Sequence, residues 1–255
     1  MKFIIIGSGS SGNSTLVSSN NTNILIDFGL SKKRVNEVLA MQNLNIDNID
    51  AFFITHEHSD HISQANKIIK KELLYAPLTS LKKLEINDYE SSHVIKNKEA
   101  VIIKDLIITP IELSHDSDEI FGYIIDDKQE KLALITDTGI LPEKYFSLLK
   151  NLDYYIFESN YDENMLITSS RPPYLIKRIL SDHGHLSNTD SGYYLSQIIG
   201  SNTKEVILAH ISQDCNKPEI ALNTVKEVIQ RVNGIIPSNI NFRVASRSEI
   251  TIGKI

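Results

Sequence analysis

The sequence predicts an α+β fold of two mixed sheets with helices outside, in one domain over residues 1–255. Strand-forming runs dominate both halves, helical segments interrupt them without strict alternation, and polar residues repeatedly close the apolar runs. Residues 3–6 read as the first strand. Next comes Gly7-Ser8-Gly9-Ser10-Ser11-Gly12-Asn13-Ser14. A dinucleotide fingerprint or a P-loop would need a helix behind its glycines, and a P-loop also Gly-Lys-Ser/Thr. Here strand-like residues 15–18 follow, so the loop joins two strands, either as a tight turn or as backbone lying near a site. Residues 23–26 form a third strand ending at Asp27, and Ser31 caps a helix with Val35, Val38 and Leu39 inward. The strand at 51–54 leads into a histidine-rich loop, and Ser59 is placed to cap a helix running to about residue 71. Further strands are read at 73–76, 101–104, 106–113, 121–125, 132–136, 154–157, 206–209, 241–245 and 249–252. Pro142, Pro172-Pro173 and Pro218 each open a helix, and Ser187 caps another.

Composition narrows the class. The net charge of −6 supplies no global pull toward nucleic acid, so a nuclease would need local basic groups or metal ions. No apolar run approaches a membrane span, and Lys2 followed by four apolar residues is too short for a signal-peptide core. No membrane partner is therefore expected. The single cysteine, Cys215, excludes an intramolecular disulfide and a cysteine zinc cluster, and a cytoplasmic location is the simplest expectation.

The chemistry concentrates in Thr55-His56-Glu57-His58-Ser59-Asp60-His61. With eight histidines in 255 residues, such an H-x-H-x-D-H string arises by composition about once in two thousand chains. Other polar residues also end strands: Asp27, His115 after Ile-Glu-Leu-Ser, Asp137 after Ala-Leu-Ile-Thr, and His210 after Ile-Leu-Ala. Strand ends are where sheets of α/β type place ligands. Five histidines and two aspartates beside Asp27 exceed the needs of one tetrahedral ion, so two divalent ions are expected. His56, His58 and His115 can face one ion, Asp60, His61 and His210 the other, with Asp137 serving both. Mixed nitrogen and oxygen donors suit zinc first, with manganese or iron as alternatives. Such a pair of ions bridges a water and lowers its pKa toward neutrality, making a nucleophile. Asp27 is expected behind a ligand histidine, accepting its hydrogen bond.

This pattern resembles the metallo-β-lactamase superfamily across essentially the whole chain, which implies an αββα four-layer sandwich with a dinuclear site. Gly7 to Ser14, Glu158-Ser159-Asn160-Tyr161-Asp162, Gly184-His185-Leu186-Ser187-Asn188 and Leu208-Ala209-His210-Ile211-Ser212 look like the YycJ/WalJ group. That resemblance implies a phosphodiesterase, an exonuclease with DNA as its nucleic-acid substrate. Tyr161 stands where much of the group has His, so no ligand role is carried to it.

Asp60 and His185 are the expected catalytic residues. By the resemblance, His185 contacts the scissile phosphate or protonates the leaving oxygen. Glu158 and Asn160 end a strand and can face substrate. Arg171, Lys177 and Arg178, on the segment leading to His185, are candidates for phosphate-backbone contacts. The seven donors alone do not choose between phosphorus and a carbonyl carbon. The acidic net charge keeps a second reading open, a hydrolase of a small ester, thioester or lactam at the same centre. A non-catalytic binding module is disfavoured by the complete donor set.

Overall fold

Strands β1 (Lys2–Gly7) and β2 (Ser14–Ser18) pair antiparallel across the glycine- and serine-rich loop, as the apolar runs flanking it require. The computed structural model describes residues 1–68, 70–86, 92–247 and 249–254. It divides into two compact units, one of Met1–Glu112, Ser117–Gln129 and Ser246–Ile255, the other of Leu113–Asp116 and Glu130–Ala245.

In the first unit β2 pairs antiparallel with β3 (Asn23–Ile26). From there the sheet runs parallel through β4 (Ala51–Phe53), β5 (Leu74–Ala76) and β6 (His93–Val94). The last strand, Thr251–Ile252, lies antiparallel on β1. The sheet is therefore mixed. Helix α1 (Lys32–Met41) is capped by Ser31, whose side chain accepts from Arg34 N at 3.3 Å, and buries Val35, Val38 and Leu39 against Ile4, Leu16, Leu25 and Phe52. A meander of β7 (Val101–Ile103), β8 (Leu106–Glu112) and β9 (Phe121–Asp126) belongs to the same unit. It pins the approach to the histidine loop: Tyr123 Oη donates to Ile54 O at 2.5 Å, and Phe121 N donates to Thr55 O at 3.1 Å.

The helix expected from Ser59 to about residue 71 is instead two short pieces, α2 (Ser59–Ile62) and α3 (Ala65–Ile68), and residue 69 lies outside the described residues. His58, not Ser59, occupies the cap position. Tertiary partners take the backbone groups that an unbroken helix would use. Asp60 O accepts from Asn13 N at 2.8 Å, His61 O accepts from Phe28 N at 2.5 Å, and Gln64 N donates to Phe28 O at 2.9 Å. Helix α4 (Leu78–Lys83) completes this unit.

The second unit is built on β10 (Lys131–Ile135), β11 (Tyr154–Glu158), β12 (Glu205–Ala209) and β13 (Asn241–Val244), all parallel. Their nearly continuous apolar runs are what buried parallel strands require. The connections carry α5 (Phe146–Leu149), α6 (Glu163–Ile167), α7 (Pro173–Ile179), α8 (Asn188–Ile198) and α9 (Pro218–Asn233). Ser187 caps α8 as expected, accepting from Asp190 N at 3.0 Å. Parallel register places Asp137, Glu158 and His210 at one end of this sheet, with Glu158 opposite Ala209. Among the described residues no helix is long and apolar enough to cross a membrane.

Gly29 packs against both the glycine loop and the histidine loop. A Cβ there would lie 1.6 Å from Asp60 O and 2.8 Å from Asn13 N, both backbone atoms that cannot swing away. Gly29→Ala should therefore destabilise the protein by about 3 kcal/mol or more in urea unfolding. A change within about 0.5 kcal/mol, the scale of an ordinary surface substitution, would contradict this packing.

Candidate metal centre

In the first unit the donors stand on the loop from β4 into α2. His56 and His61 are fully buried, and their ring centroids are 4.1 Å apart; His56 and His58 are 4.6 Å apart. His61 Nε2 lies 3.6 Å from Asp60 Oδ2. Behind them sits Asp27, 3% exposed, at the left-handed φ of 61° that ends β3. Its Oδ2 accepts from His61 Nδ1 at 2.8 Å, its Oδ1 from Thr55 N at 2.9 Å, and both oxygens from Thr55 Oγ1. The histidine hydrogen-bonded to Asp27 is thus His61.

In the second unit Asp137 and His210 also hold left-handed φ, 60° and 56°, Asp137 two residues past β10 and His210 directly after β12. Non-glycine residues in this region cluster at functional sites because the surrounding structure must hold them there. Asp137, Glu158, His185 and His210 offer four ligand atoms within 4.8 Å of one another. His115 Nδ1 donates to Gly184 O at 2.8 Å, and its ring centroid is 4.9 Å from that of His185. Burial holds the His115 pKa below the usual histidine value despite the opposing carboxylates of Asp137, Glu158 and Asp116, which favours the neutral, ligating imidazole.

Glu158 requires a correction. It was expected to face substrate, but it is fully buried and both oxygens are engaged. Oε1 accepts from His185 Nδ1 at 2.8 Å and His210 Nδ1 at 2.9 Å; Oε2 accepts from Thr138 N at 2.8 Å and Leu186 N at 3.3 Å. Burial pushes its carboxyl up, but the charge and hydrogen bond of His185 and the hydrogen bond of His210 outweigh burial and bring it to about 2. Asn160 is corrected likewise: it is buried, and its Nδ2 donates to His210 O at 2.7 Å. Arg171 is tied to Asp214 at 3.2 Å, Arg178 is ion-paired with Asp116, and Lys177 is exposed. Sequence reasoning missed Asn13, whose Nδ2 reaches Asp60 Oδ2 at 3.2 Å and His61 Nε2 at 2.9 Å. The glycine-rich loop carrying it was the available signal.

The donor set fits divalent metal. For His61, His115 and His210, Nδ1 faces an oxygen acceptor, from Asp27, Gly184 and Glu158 respectively. A proton on Nδ1 leaves the Nε2 lone pair as the donor, which is the arrangement that oriented metal-binding histidines use. Asn13 pointing its amide at His61 Nε2 agrees with a lone pair there.

Comparison with known proteins decides the family. A family model described as a β-lactamase superfamily domain matches residues 22–211. Exodeoxyribonuclease WalJ of Streptococcus pneumoniae serotype 2 (strain D39) is 32% identical over 261 residues, covering 98% of this chain and 95% of that protein. Exodeoxyribonuclease YycJ of Bacillus anthracis is 32% identical over 236 residues, covering 90% and 89%. The chain belongs to the metallo-β-lactamase superfamily, in its YycJ/WalJ group. Among solved structures, the metallo-β-lactamase fold protein YhfI from Bacillus subtilis is similar with a TM-score of 0.71 at 15% identity, over 99% of each chain. That likeness bears out the predicted α+β class of this superfamily member, two mixed sheets with helices outside.

Two outcomes follow from the buried carboxylates. Asp27→Asn keeps a residue that tolerates left-handed φ but weakens the hold on His61. Zinc affinity, read by competition with a chromogenic chelator, should fall about 10- to 100-fold while near-UV circular dichroism is retained. Unaltered affinity would remove Asp27 from the supporting role. Glu158 has a folded pKa below its unfolded one, so its contribution to stability is complete above about pH 4.5 and is lost as pH falls toward about 2. In the metal-free protein this contribution is on the order of 3 kcal/mol. The stability gap between wild type and Glu158→Gln should shrink over that window in urea unfolding, and a pH-independent gap would contradict it.

Proposed function

We propose that the chain is a metal-dependent hydrolase of phosphodiesters that degrades DNA from an end. What carries the reading is likeness along nearly the whole chain to two proteins named exodeoxyribonucleases, so the similarity is not confined to the shared metal motif. We further propose that residues 1–255 act as one metallo-β-lactamase-like domain, since one family match runs through 22–211.

His56, His58 and His115 would hold one divalent ion, and Asp60, His61 and His210 the second, with Asp137 serving both. Zinc suits five imidazoles and two carboxylates, and manganese or iron are the alternatives. When bound, the ions supply a water acidic enough to attack at neutral pH and positive charge to stabilise what develops on phosphorus. The remaining work falls to the chain. Asp27 and Glu158 keep their histidines in register. His185 is positioned by Glu158 through Nδ1, and its side chain is 19% exposed. It gives the departing oxygen its proton, which an alkoxide leaving group requires. The lone cysteine supports a cytoplasmic setting.

A substrate panel on metal-reconstituted protein tests this: double- and single-stranded DNA, RNA, a small phosphodiester and a lactam, beside His58→Ala and Asp60→Ala. DNA should shorten progressively from an end, and chelation should abolish the reaction. Asp60→Ala should slow it by at least about a hundredfold, beyond the loss typical of an outer-sphere partner. DNA left intact by the wild type under zinc, manganese and iron would sink the nuclease reading. Lactam or thioester cleavage in its place would establish the alternative.

A further inference from the structure

Helix α7 divides its residues cleanly between two faces. Leu175, Ile176 and Ile179 turn toward a small core with Tyr161, Leu166 and Cys215. At 100° per residue, Tyr174, Lys177 and Arg178 fall within an arc of about 100° on the other side. Tyr174 is 76% exposed, unusual for a tyrosine with no structural task, and the Arg178 side chain is 52% exposed. Along one flank runs an open groove of about 520 Å³, walled by Ile167, Pro173, Ile176 and Leu180.

Charge identifies what fits this face. Residues 164–181 contain Arg171, Lys177 and Arg178 and no carboxylate, in a chain whose net charge is −6. Arg178 reaches Asp116, whose Oδ1 lies 3.0 Å from His115 Nε2. The cationic end of the face is thus one ion pair away from a candidate metal ligand. An aromatic ring one helical turn from two cations, beside an apolar wall, is the combination that holds unpaired nucleic acid. A protein segment would use the apolar groove but would gain little from Lys177 and from Arg178, whose side chain stays half-exposed beside Asp116.

We propose that the outer face of α7 receives the unpaired end of a DNA strand, with a base stacked on Tyr174 and adjoining phosphates on Lys177 and Arg178. This rests on the nuclease reading above and names the surface that feeds its site.

Binding can be measured apart from cleavage, by fluorescence anisotropy of labelled single-stranded DNA with metal-stripped protein in chelator. Tyr174→Ala should weaken binding about tenfold, and Tyr174→Phe should retain it, because the ring and not the hydroxyl stacks. Lys177→Ala should reduce the slope of log affinity against log salt by about 0.7. Thermal melts should be unchanged, since both side chains are exposed. In the metal-loaded enzyme Tyr174→Ala should raise KM for DNA more than it lowers kcat. Wild-type DNA affinity in Tyr174→Ala and Lys177→Ala, with DNA still degraded by the unmodified enzyme, overturns this proposal alone and leaves the groove to an apolar protein segment. An unmodified enzyme that neither binds nor degrades DNA overturns the nuclease reading together with it.

Discussion

The carboxylate of Asp27 is the contact on which the histidine cluster of the first unit depends. It is almost wholly removed from water, and a buried charge is tolerated only when hydrogen-bonded on all sides. Thr55 N, Thr55 Oγ1 and His61 Nδ1 provide those bonds, and in doing so they tie the end of β3 to both ends of the histidine loop. The parallel pairing of β3 with β4, Ile26 opposite Phe53, is what brings Asp27 beside Thr55. The backbone follows the same logic. Asn13 N donates to Asp60 O, and Phe28 N to His61 O, so α2 cannot extend as a regular helix without losing them. The shortness of α2 is therefore a consequence of holding His61, and the two facts cannot be varied independently.

The second unit repeats the device with Glu158. A buried carboxylate again closes a strand, again accepts backbone N–H bonds, and again fixes imidazoles through Nδ1. The difference lies in what it holds. His210 is buried at 3% exposure, whereas the His185 side chain keeps 19%. One carboxylate thus sets the tautomer of an inward histidine and of one within reach of solvent. Around it Ser159, Asn188 and Asn216 form a fully satisfied polar network, with Ser159 Oγ donating to Asn188 Oδ1 at 2.6 Å and Asn216 Nδ2 to the same oxygen at 2.9 Å. Such a network locks the β11 end onto α8 and leaves Glu158 no freedom to turn outward.

Much of this was legible in the sequence, for identifiable reasons. Ser31 and Ser187 read correctly as caps because capping is local. Asp27, His56, His115, Asp137 and His210 could be picked out because a polar residue closing an apolar run leaves a one-dimensional trace. Glu158 and Asn160 left the same trace and were misjudged, since sequence shows that a residue ends a strand but not which helix covers it. Only the α8 contacts, Ser191 Oγ to Glu158 O among them, reveal the burial. The break between α2 and α3 was invisible for a related reason: apolar spacing reports a helix's buried face and says nothing of a distant strand end competing for its carbonyls.

Tyr161 ties these threads together. No ligand role was expected of it from the sequence, and the structure gives the tyrosine a different employment. It is 4% exposed, packed with Leu166, Ile179 and Cys215, and burial pushes its phenol well above the ordinary value, so it stays neutral. A neutral, enclosed phenol is a poor ligand and a good anchor. The residues it anchors against include Ile179 of α7, with Leu175 and Ile176 alongside. Each apolar residue that α7 commits inward fixes the rotation of the helix, and that rotation is what turns Tyr174, Lys177 and Arg178 to solvent. Position 161 therefore contributes the ground on which the exposed face of α7 stands.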